Sequence, residues 1–320
     1  MKPQISLARQ TTPRMWIVSL AAFLAVLQSS LADSFSSLVI AIAAIGAAFV
    51  CEFIIYFRTG KSAMIKDGSS IASALTLTLL LPNSISPVYA VIGAIFAMIV
   101  VKYSFGGLGA NWVNPALGGW LFVRFSWNGV FEQAMTPAIE SNIIGVFGDS
   151  FIAEPVANFL NNTIFSLTGT ELPIGYLDIF GSRSAAIIAD RGLLALLLGT
   201  IIIVASQTIR VWVPVIYLAV YGAMVKFFGG GDVLTAFLSG GTIAVAFFLL
   251  PEPVTGPKSS RGACICALFA GVFTFIFRYP SGELYGAFFA VALLNAIVPL
   301  VRSLESRLLY KGSKGSRSGE

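Results

Sequence analysis

Apolar segments of about span length alternate with short polar breaks along nearly the whole chain of 320 residues. A transmembrane helix needs about 17 to 25 mostly apolar residues, and several of these segments approach or reach that length. The pattern predicts an all-α, multi-pass membrane protein with about ten transmembrane helices. The predicted spans are residues 16–31, 37–57, 69–82, 87–102, 113–127, 192–207, 211–228, 233–250, 262–277 and 284–303.

Composition agrees with insertion into a lipid bilayer. The chain is 57% hydrophobic and 11% charged, and it contains no histidine, whereas soluble domains carry about 25% charged residues. The basic N-terminal segment is not followed by a small-residue cleavage site, so we expect no cleavable signal peptide. The sequence has no phosphate-binding loop and no nucleophile elbow, and we expect no binding of nucleic acid.

Basic residues are unevenly divided between the two sides of the membrane that the predicted spans define. With a cytoplasmic N-terminus, 15 of the 20 Lys and Arg residues fall on the cytoplasmic side. Because Lys and Arg are enriched in cytoplasmic loops, we expect both termini to be cytoplasmic. The long polar interval 129–190 then lies on the opposite side.

The two halves of the chain contain similar segments. "SIASALTLTLLLP" (70–82) is matched by "SGGTIAVAFFLLP" (239–251), which aligns Pro82 with Pro251 and Gly93 with Gly262. Five spans in each half would place equivalent helices in opposite orientations, as in inverted repeats that hold a ligand at their interface. Chance recurrence in an apolar chain is the alternative. The predicted organisation is 1–128, the first repeat; 129–190, an extracytoplasmic insert; 191–303, the second repeat; and 304–320, a basic cytoplasmic tail.

Three polar segments interrupt the apolar pattern near predicted span ends. They are "KDGSS" (66–70), "GLGANWVNPAL" (107–117) and "PEPVTGPKSSRG" (251–262). Irregular backbone at membrane depth is stable only where protein or a water-filled cavity satisfies its polar groups. The three segments are therefore candidate walls of a buried site, and ordinary turns at the membrane interface are the alternative.

One carboxylate lies deep within a predicted span. Charge in lipid is costly and usually faces a pathway or a partner, so Glu52 is a candidate for contact with a translocated ion or proton. Pairing with a Lys or Arg of a neighbouring span is the alternative. Cys51, Cys264 and Cys266 lie in apolar segments, and we expect buried thiols and no metal site made by this chain alone. A shared site using Cys264 and Cys266 is the alternative.

Several segments, in order, resemble a known family. They are "DGSSIASALTLTLLLP", "NWVNPAL", "RGLLALLLGTIII" (191–203), "PEPVTGPKSSRG" and "YGAFFAVALLNAIVPL" (285–300). They are similar to the D subunit of the Rnf ion-translocating ferredoxin:NAD oxidoreductase complex and to its homologue, the B subunit of the Na+-translocating NADH:quinone reductase. The shorter N-terminal segment favours the Rnf type.

The resemblance implies an electron-carrying subunit with a urea-transporter-like fold of two inverted five-helix repeats. It implies a six-part complex in the cytoplasmic membrane of a bacterium or archaeon, with flavin, iron–sulfur and membrane subunits as partners besides the lipid bilayer. The family carries FMN on a threonine hydroxyl, attached by a separate flavin transferase at a Ser/Thr-Gly-Ala-Thr motif.

The corresponding segment here reads "LTGTEL" and lacks the alanine. Thr170 matches the acceptor, Gly169 leaves room for the approach of the flavin phosphate, and Thr168 is the alternative acceptor. A plain surface turn without covalent flavin is the third possibility.

A second, non-covalent flavin is expected between the polar segments. The homologue holds a riboflavin in this way, and electrons crossing a membrane need a cofactor near each face. The candidate binding residues share placement in the three polar segments and are Asp67, Gly68, Ser69, Asn114, Pro115, Pro253 and Thr255.

Three functional interpretations follow from the sequence. The first is a subunit of a redox-driven pump that carries covalent FMN and moves electrons while Na+ or H+ is translocated, without catalytic activity on its own. The second is a channel or carrier for a small polar solute, which an inverted-repeat fold would suit. The third is a structural anchor for partner subunits. Glu52 would serve either Na+ or H+.

Overall fold

The computed structural model describes residues 4–32, 35–59, 67–107, 109–134, 185, 187–229 and 232–317. Within these ranges the regular elements are helices, apart from one antiparallel bridge between Pro82 and Ile187. The chain is therefore a polytopic helical protein, as the apolar pattern predicted. The candidate acceptors Thr168 and Thr170, Gly169 and most of the 129–190 interval lie outside the described residues.

The described residues of the N-terminal half contain five helices with full bounds and a further helical stretch at 128–134. The five bounded helices are α1 (Gln4–Ala32), α2 (Ser36–Thr59), α3 (Ser69–Leu80), α4 (Pro87–Phe96, continued as the π-helix Ala97–Tyr103) and α5 (Pro115–Ser126). The C-terminal half contains α6 (Ile188–Arg191), α7 (Leu193–Ala205), α8 (Trp212–Met224, continued as the π-helix Val225–Gly229), α9 (Val233–Phe237), α10 (Thr242–Ala244, continued as the π-helix Val245–Leu249), α11 (Ser260–Arg278) and α12 (Gly286–Arg317).

Among the residues that the structure describes, five helical segments are long and apolar enough to cross a membrane. They are Pro13–Leu31, Ser36–Thr59, Trp212–Gly229, Ser260–Arg278 and Gly286–Ser303. Shorter apolar helices cover Ser69–Leu80, Pro87–Tyr103 and Leu193–Ala205. The 12 residues of α3 rise about 18 Å, less than the roughly 30 Å of a hydrocarbon core. A helix of this length ends within the bilayer thickness.

The predicted span 233–250 is interrupted. Helix α9 ends at Phe237, and α10 begins only at Thr242, after Gly240 and Gly241 with φ of 61° and 67°. Glycine adopts this left-handed conformation without the steric penalty of a side chain. A Cβ on Gly241 would also lie only 2.4 Å from Cζ of the Phe288 ring, so a larger residue would clash there. The apolar run alone did not predict this break.

Helix α3 begins in a similar way. Gly68 has φ of 71°, and a Cβ at that position would lie 2.9 Å from the indole of Trp16. Helices α3 and α10, called the short helices below, thus each start at a left-handed glycine that contacts an aromatic ring. Each is also followed by a proline, Pro82 after α3 and Pro251 after α10.

The helices pack in corresponding pairs within the two halves. In the first half α2 packs on α4, and α4 packs on α5; in the second half α8 packs on α11, and α11 packs on α12. The halves meet where α1 packs on α7. Gln28 joins them there, since its Oε1 accepts a hydrogen bond from the backbone N–H of Ala195 at 2.6 Å.

Aromatic side chains form the core between α5 and α12. Trp120 is fully buried and makes edge-to-face contacts with Phe131, Tyr285 and Phe288. Aromatic pairs in this geometry stabilise the core beyond their buried area. Arg124 lies over the rings of Phe131 and Tyr285, so its charge is held against this core.

Candidate functional site

A cavity of about 80 Å³ lies between the two halves, and the space that opens from it to the outside brings the total to about 700 Å³. Helices α1 and α3 and the start of α5 form one side; the α7–α8 connection, the end of α10 and the loop after it form the other. The lining residues are Arg14, Met15, Val18, Ala72, Ser73, Thr76, Asn114, Pro115, Thr208, Ile209, Phe247, Phe248, Pro251, Glu252, Pro253 and Val254. Mostly apolar walls with a few polar groups are typical of binding sites for small organic molecules.

The polar wall of the cavity is organised around one carboxyl group. Asn114 caps α5, because its Oδ1 accepts a hydrogen bond from the backbone N–H of Leu117 at 3.2 Å. Its Nδ2 donates to Glu252 Oε2 at 2.8 Å, and Thr255 Oγ1 donates to the same oxygen at 3.0 Å. The cap of a first-half helix is thereby joined to a second-half loop.

Burial in this loop changes the acidity of Glu252. Loss of solvation raises its pKa to about 7, and the hydrogen bonds from Thr255 and Asn114 oppose that rise only in part. Among the described side chains, no Lys or Arg forms an ion pair with Glu252. Its carboxyl can therefore hold or release a proton near neutral pH while it lines the cavity.

Two arginines hold the loop that carries Glu252. Arg302, on α12, donates from Nε to the carbonyl of Gly256 at 3.1 Å and from Nη2 to the carbonyls of Val254 and Gly256. Arg210, before α8, donates to the carbonyl of Lys258 at 2.9 Å. A non-helical loop is thus fixed to α12 and to the segment before α8 by charge-assisted hydrogen bonds.

A second polar cluster lies in the first half. Glu52 on α2 and Lys102 on α4 are 1% and 2% exposed, and their carboxylate and ammonium groups are 3.5 Å apart. Tyr103 donates to Glu52 Oε1 at 2.8 Å, and Ser70 donates to Oε2. Lys102 also donates to Ser69 Oγ at 2.6 Å. The buried carboxylate is therefore paired with a cation of a neighbouring helix.

The second half has a related arrangement around Arg278, at the end of α11. Its guanidinium donates to the carbonyls of Ala236 and Ser239 and to the hydroxyls of Ser239, Thr242 and Tyr221. These groups surround the break between α9 and α10. Each half therefore places one basic side chain at the start of its short helix.

The residues predicted from the polar segments divide into two places. Asn114, Pro115 and Pro253 line the cavity, and Thr255 contacts it through Glu252. Asp67, Gly68 and Ser69 instead lie at the start of α3, where Asp67 Oδ1 accepts hydrogen bonds from Ser69 N at 2.8 Å and Ser69 Oγ at 2.6 Å. There Ser69 belongs to the Lys102 cluster.

Sequence reasoning did not select Glu252, Thr208 or Arg14 as site residues. Glu252 lies between Pro251 and Pro253 in a polar segment that was selected, so its position next to two helix-terminating residues was an available signal. Arg14 and Thr208 lie at the edges of predicted spans, and only the packing of α1 against the second half brings them to the cavity.

Comparison with known proteins gives one consistent family. The model of the NQR2, RnfD, RnfE family matches residues 1–311. The chain is 29% identical over 309 residues to the D subunit of the proton-translocating ferredoxin:NAD(+) oxidoreductase complex of Clostridium ljungdahlii, covering 93% of this chain and 91% of the relative. It is 27% identical over 267 residues to the D subunit of the Na(+)-translocating ferredoxin:NAD(+) oxidoreductase complex of Acetobacterium woodii, covering 82% and 79%.

A third relative covers both chains almost completely. The D subunit of the ion-translocating oxidoreductase complex of Shewanella denitrificans is 29% identical over 328 residues, which cover 93% of each chain.

Proposed function

The chain belongs to the NQR2, RnfD, RnfE family, and on that premise we propose that it is the D-type membrane subunit of a redox-driven, ion-translocating ferredoxin:NAD oxidoreductase complex. It carries electrons for the complex and is not catalytic alone. The observation that supports this role most directly is the cavity between the two halves, whose Glu252 carboxyl and Asn114 amide face otherwise apolar walls. The relatives named above are subunits of such complexes.

The side chains that line the cavity offer the chemical groups that would hold a non-covalent flavin such as riboflavin at its mouth. Phe247, Phe248 and Val18 offer apolar surface to a fused ring system, while Asn114 and Glu252 offer a donor and a protonatable acceptor to its polar edge. A flavin bound here supplies one- and two-electron redox chemistry. Glu252 holds a proton near pH 7 at its carboxyl, and Arg302 keeps the loop in place.

Covalent FMN is proposed on the Thr170 hydroxyl, with Thr168 as the alternative acceptor. Gly169 between them leaves space for a separate flavin transferase to bring the phosphate to the hydroxyl. The interval that carries them, 129–190, is proposed to face away from the cytoplasm of a bacterial or archaeal cell. FMN there and riboflavin in the cavity would give the subunit a cofactor toward each membrane face.

Two inverted five-helix repeats, as in urea transporters, are proposed as the architecture. The corresponding helix pairs and the glycine starts of α3 and α10 support this arrangement. The alignment of Pro82 with Pro251 also aligns Glu52 with Tyr221, and each of these residues contacts the basic side chain at the short helix of its own half, Lys102 or Arg278. Contact of Glu52 with a translocated ion would require displacement of Lys102.

The flavin proposal is tested by denaturing gel electrophoresis of the full chain made with its transferase. Wild type and Thr168→Ala should give a fluorescent band under ultraviolet light, and Thr170→Ala should give a dark one, because its phosphoester cannot form. Riboflavin should appear in the denatured supernatant of all three proteins.

The other outcomes identify the alternatives. A dark wild-type band together with no released flavin would favour a solute channel or carrier. If Thr170→Ala loses the fluorescent band but the complex turns over at the wild-type rate, the result would favour a structural anchor. Loss of fluorescence in Thr168→Ala alone would move the attachment to Thr168.

A further inference from the structure

Side chains from three elements meet around the ammonium group of Lys102. Ser69 Oγ, at the start of α3, lies 2.6 Å from Nζ, and Glu52 Oε1, on α2, lies 3.5 Å from it. The ring of Tyr103 lies 5.1 Å away, measured from Nζ to the ring centroid. Lys102 itself comes from the π-helical end of α4. The ammonium is therefore enclosed by oxygen atoms and an aromatic face.

The oxygen atoms around Lys102 are themselves fixed. Tyr103 and Ser70 donate to the two oxygens of Glu52, so its carboxylate has a set orientation. Ser69 Oγ donates to Asp67 Oδ1, which leaves its lone pairs directed to the cation. Asp67 is half-buried, whereas Glu52 and Lys102 are almost fully buried. The cluster thus leads from a partly accessible carboxylate to a buried one.

This is the composition of a site for a small monovalent cation. Hard cations are bound by carboxylate, carbonyl and hydroxyl oxygens, and a buried carboxylate requires a compensating positive charge. The lysine ammonium supplies that charge here, and a dehydrated Na+ or Li+ carries the same charge without a covalent tether. The lysine ammonium and a free small cation can therefore each neutralise the carboxylate and bind the same oxygen atoms.

We propose that the Lys102 ammonium occupies a monovalent-cation site formed by Glu52 and Ser69, with Asp67 at its entrance, and that a free Na+ binds there only when the ammonium is absent or displaced. The exclusion of free ions by Lys102 does not depend on the proposed function. Its bearing on translocation does rest on that function: Glu52 would exchange Lys102 for the moving ion.

The Arg278 cluster provides a contrast within the same molecule. The hydrogen-bond partners of its guanidinium are carbonyls and hydroxyls, and none of them is a carboxylate. Removal of Arg278 would therefore leave uncharged oxygens at its hydrogen-bonding positions. The buried Asp190, which interacts with the charge of Arg278 without a hydrogen bond to it, keeps its own hydrogen bond from the backbone N–H of Gly241 at 2.9 Å. Arg278→Gln is the matched control for Lys102→Gln.

The test compares thermal unfolding of the purified full chain in NaCl, LiCl and choline chloride at equal ionic strength. The melting temperature of wild type should be the same in all three salts. The melting temperature of Arg278→Gln should likewise not change between the salts, even if it differs from that of wild type. Lys102→Gln should melt several degrees higher in NaCl or LiCl than in choline chloride, with saturation as the small cation is titrated, because only the folded state binds it.

The double variant Glu52→Gln/Lys102→Gln separates a specific site from general salt effects. It removes both charges, so it should fold and show no difference between NaCl and choline chloride. Equal melting temperatures of Lys102→Gln in all three salts would overturn the proposal. So would a sodium response of the double variant as large as that of Lys102→Gln, or failure of Lys102→Gln to fold in high NaCl while the double variant folds. Flavin fluorescence in the same samples reports on the proposed function separately.

Discussion

Glu252 and Glu52 are carboxyl groups in opposite electrostatic environments, one without a neighbouring cation and one with a paired lysine. Glu52 is paired with Lys102 inside the helical bundle. Glu252, in the loop after α10, receives hydrogen bonds from Asn114 and Thr255 but has no paired cation among the described side chains. Without a cation, burial is the dominant influence on Glu252, and its neutral form is favoured at a higher pH than that of a solvated carboxyl.

Glu252 should make the stability of the protein dependent on pH. Its pKa is about 7 in the folded chain against an ordinary value of 4.5. Below about pH 4.5 both states bind the proton; between 4.5 and 7 only the folded state does, so stability falls as pH rises. The fall amounts to about 3 kcal/mol and is complete above pH 7. Thermal unfolding of wild type and Glu252→Gln from pH 4 to pH 8 should show a larger fall in wild type, because buried Asp190, with a pKa raised to about 6, adds the same smaller fall to both proteins.

Thr255→Val sharpens this pH experiment. Loss of the Thr255 hydrogen bond removes one influence that lowers the pKa of Glu252, so the pH at which the fall ends should move upward. Parallel pH profiles for wild type and Glu252→Gln would contradict the assignment.

For single residues, the sequence indicated which charged side chain is buried but not which side chain it is paired with. Glu52 could be recognised because one carboxylate stood inside an apolar run. Its partner could not, because Lys102 is 50 positions away in the chain and lies at the edge of its own apolar segment, where a solvated lysine would be ordinary. Which of several basic residues reaches Glu52 depends on how α2 packs against α4.

Among the elements, the short helices α3 and α10 distinguish this bundle from a set of simple spans. The position of α3 was predicted well, since Gly68 and Pro82 mark its limits. The break before α10 was missed because the carbonyls freed at the end of α9, those of Ala236 and Ser239, are satisfied by Arg278 of α11. A remote side chain that stabilises a break leaves no local signal in the sequence.

Close packing of α1 against the start of α7 should be sensitive to one methyl group. A Cβ on Gly192 would lie 2.1 Å from the carbonyl oxygen of Ala25, and backbone cannot move aside as a flexible side chain can. Gly192→Ala should therefore destabilise the protein by about 1–3 kcal/mol or more, measured as a lower melting temperature. Gly46→Ala is the control, because nothing lies within 4 Å of the added Cβ there. Equal melting temperatures for the two variants would show that this contact does not limit stability.

For the whole molecule, the contact between the halves is what creates the candidate site. The three polar segments were predicted to line one place, but two of them line the cavity and the first belongs to the Lys102 cluster. Sequence pattern locates polar breaks along the chain and does not determine which breaks face one another. That depends on the docking of α1 on α7, for which Gln28 supplies a hydrogen bond at 2.6 Å.

The distribution of basic residues predicts the orientation of the whole chain. Alkaline phosphatase, which is active only outside the cytoplasm, should be inactive when fused after residue 320 and active when inserted near residue 140. Green fluorescent protein at the same two positions should give the reverse result, because it fluoresces after cytoplasmic folding. Phosphatase activity at both positions would rule out an even number of crossings between the cytoplasmic N-terminus and the C-terminus.

The segment after α3 holds both ends of the long interval between the halves. Ser84 Oγ donates to the carbonyl of Ala134 at 2.9 Å, and the carbonyl of Leu81 accepts from the backbone N–H of Ile188 at 3.1 Å. The entropic free-energy cost of closing a chain segment between two fixed points increases by only about 0.6 kcal/mol for each doubling of the segment's length. Natural selection can therefore lengthen, shorten or replace this interval to suit new partner subunits without disturbing the bundle, and the same two anchors make it a suitable place to insert a foreign domain.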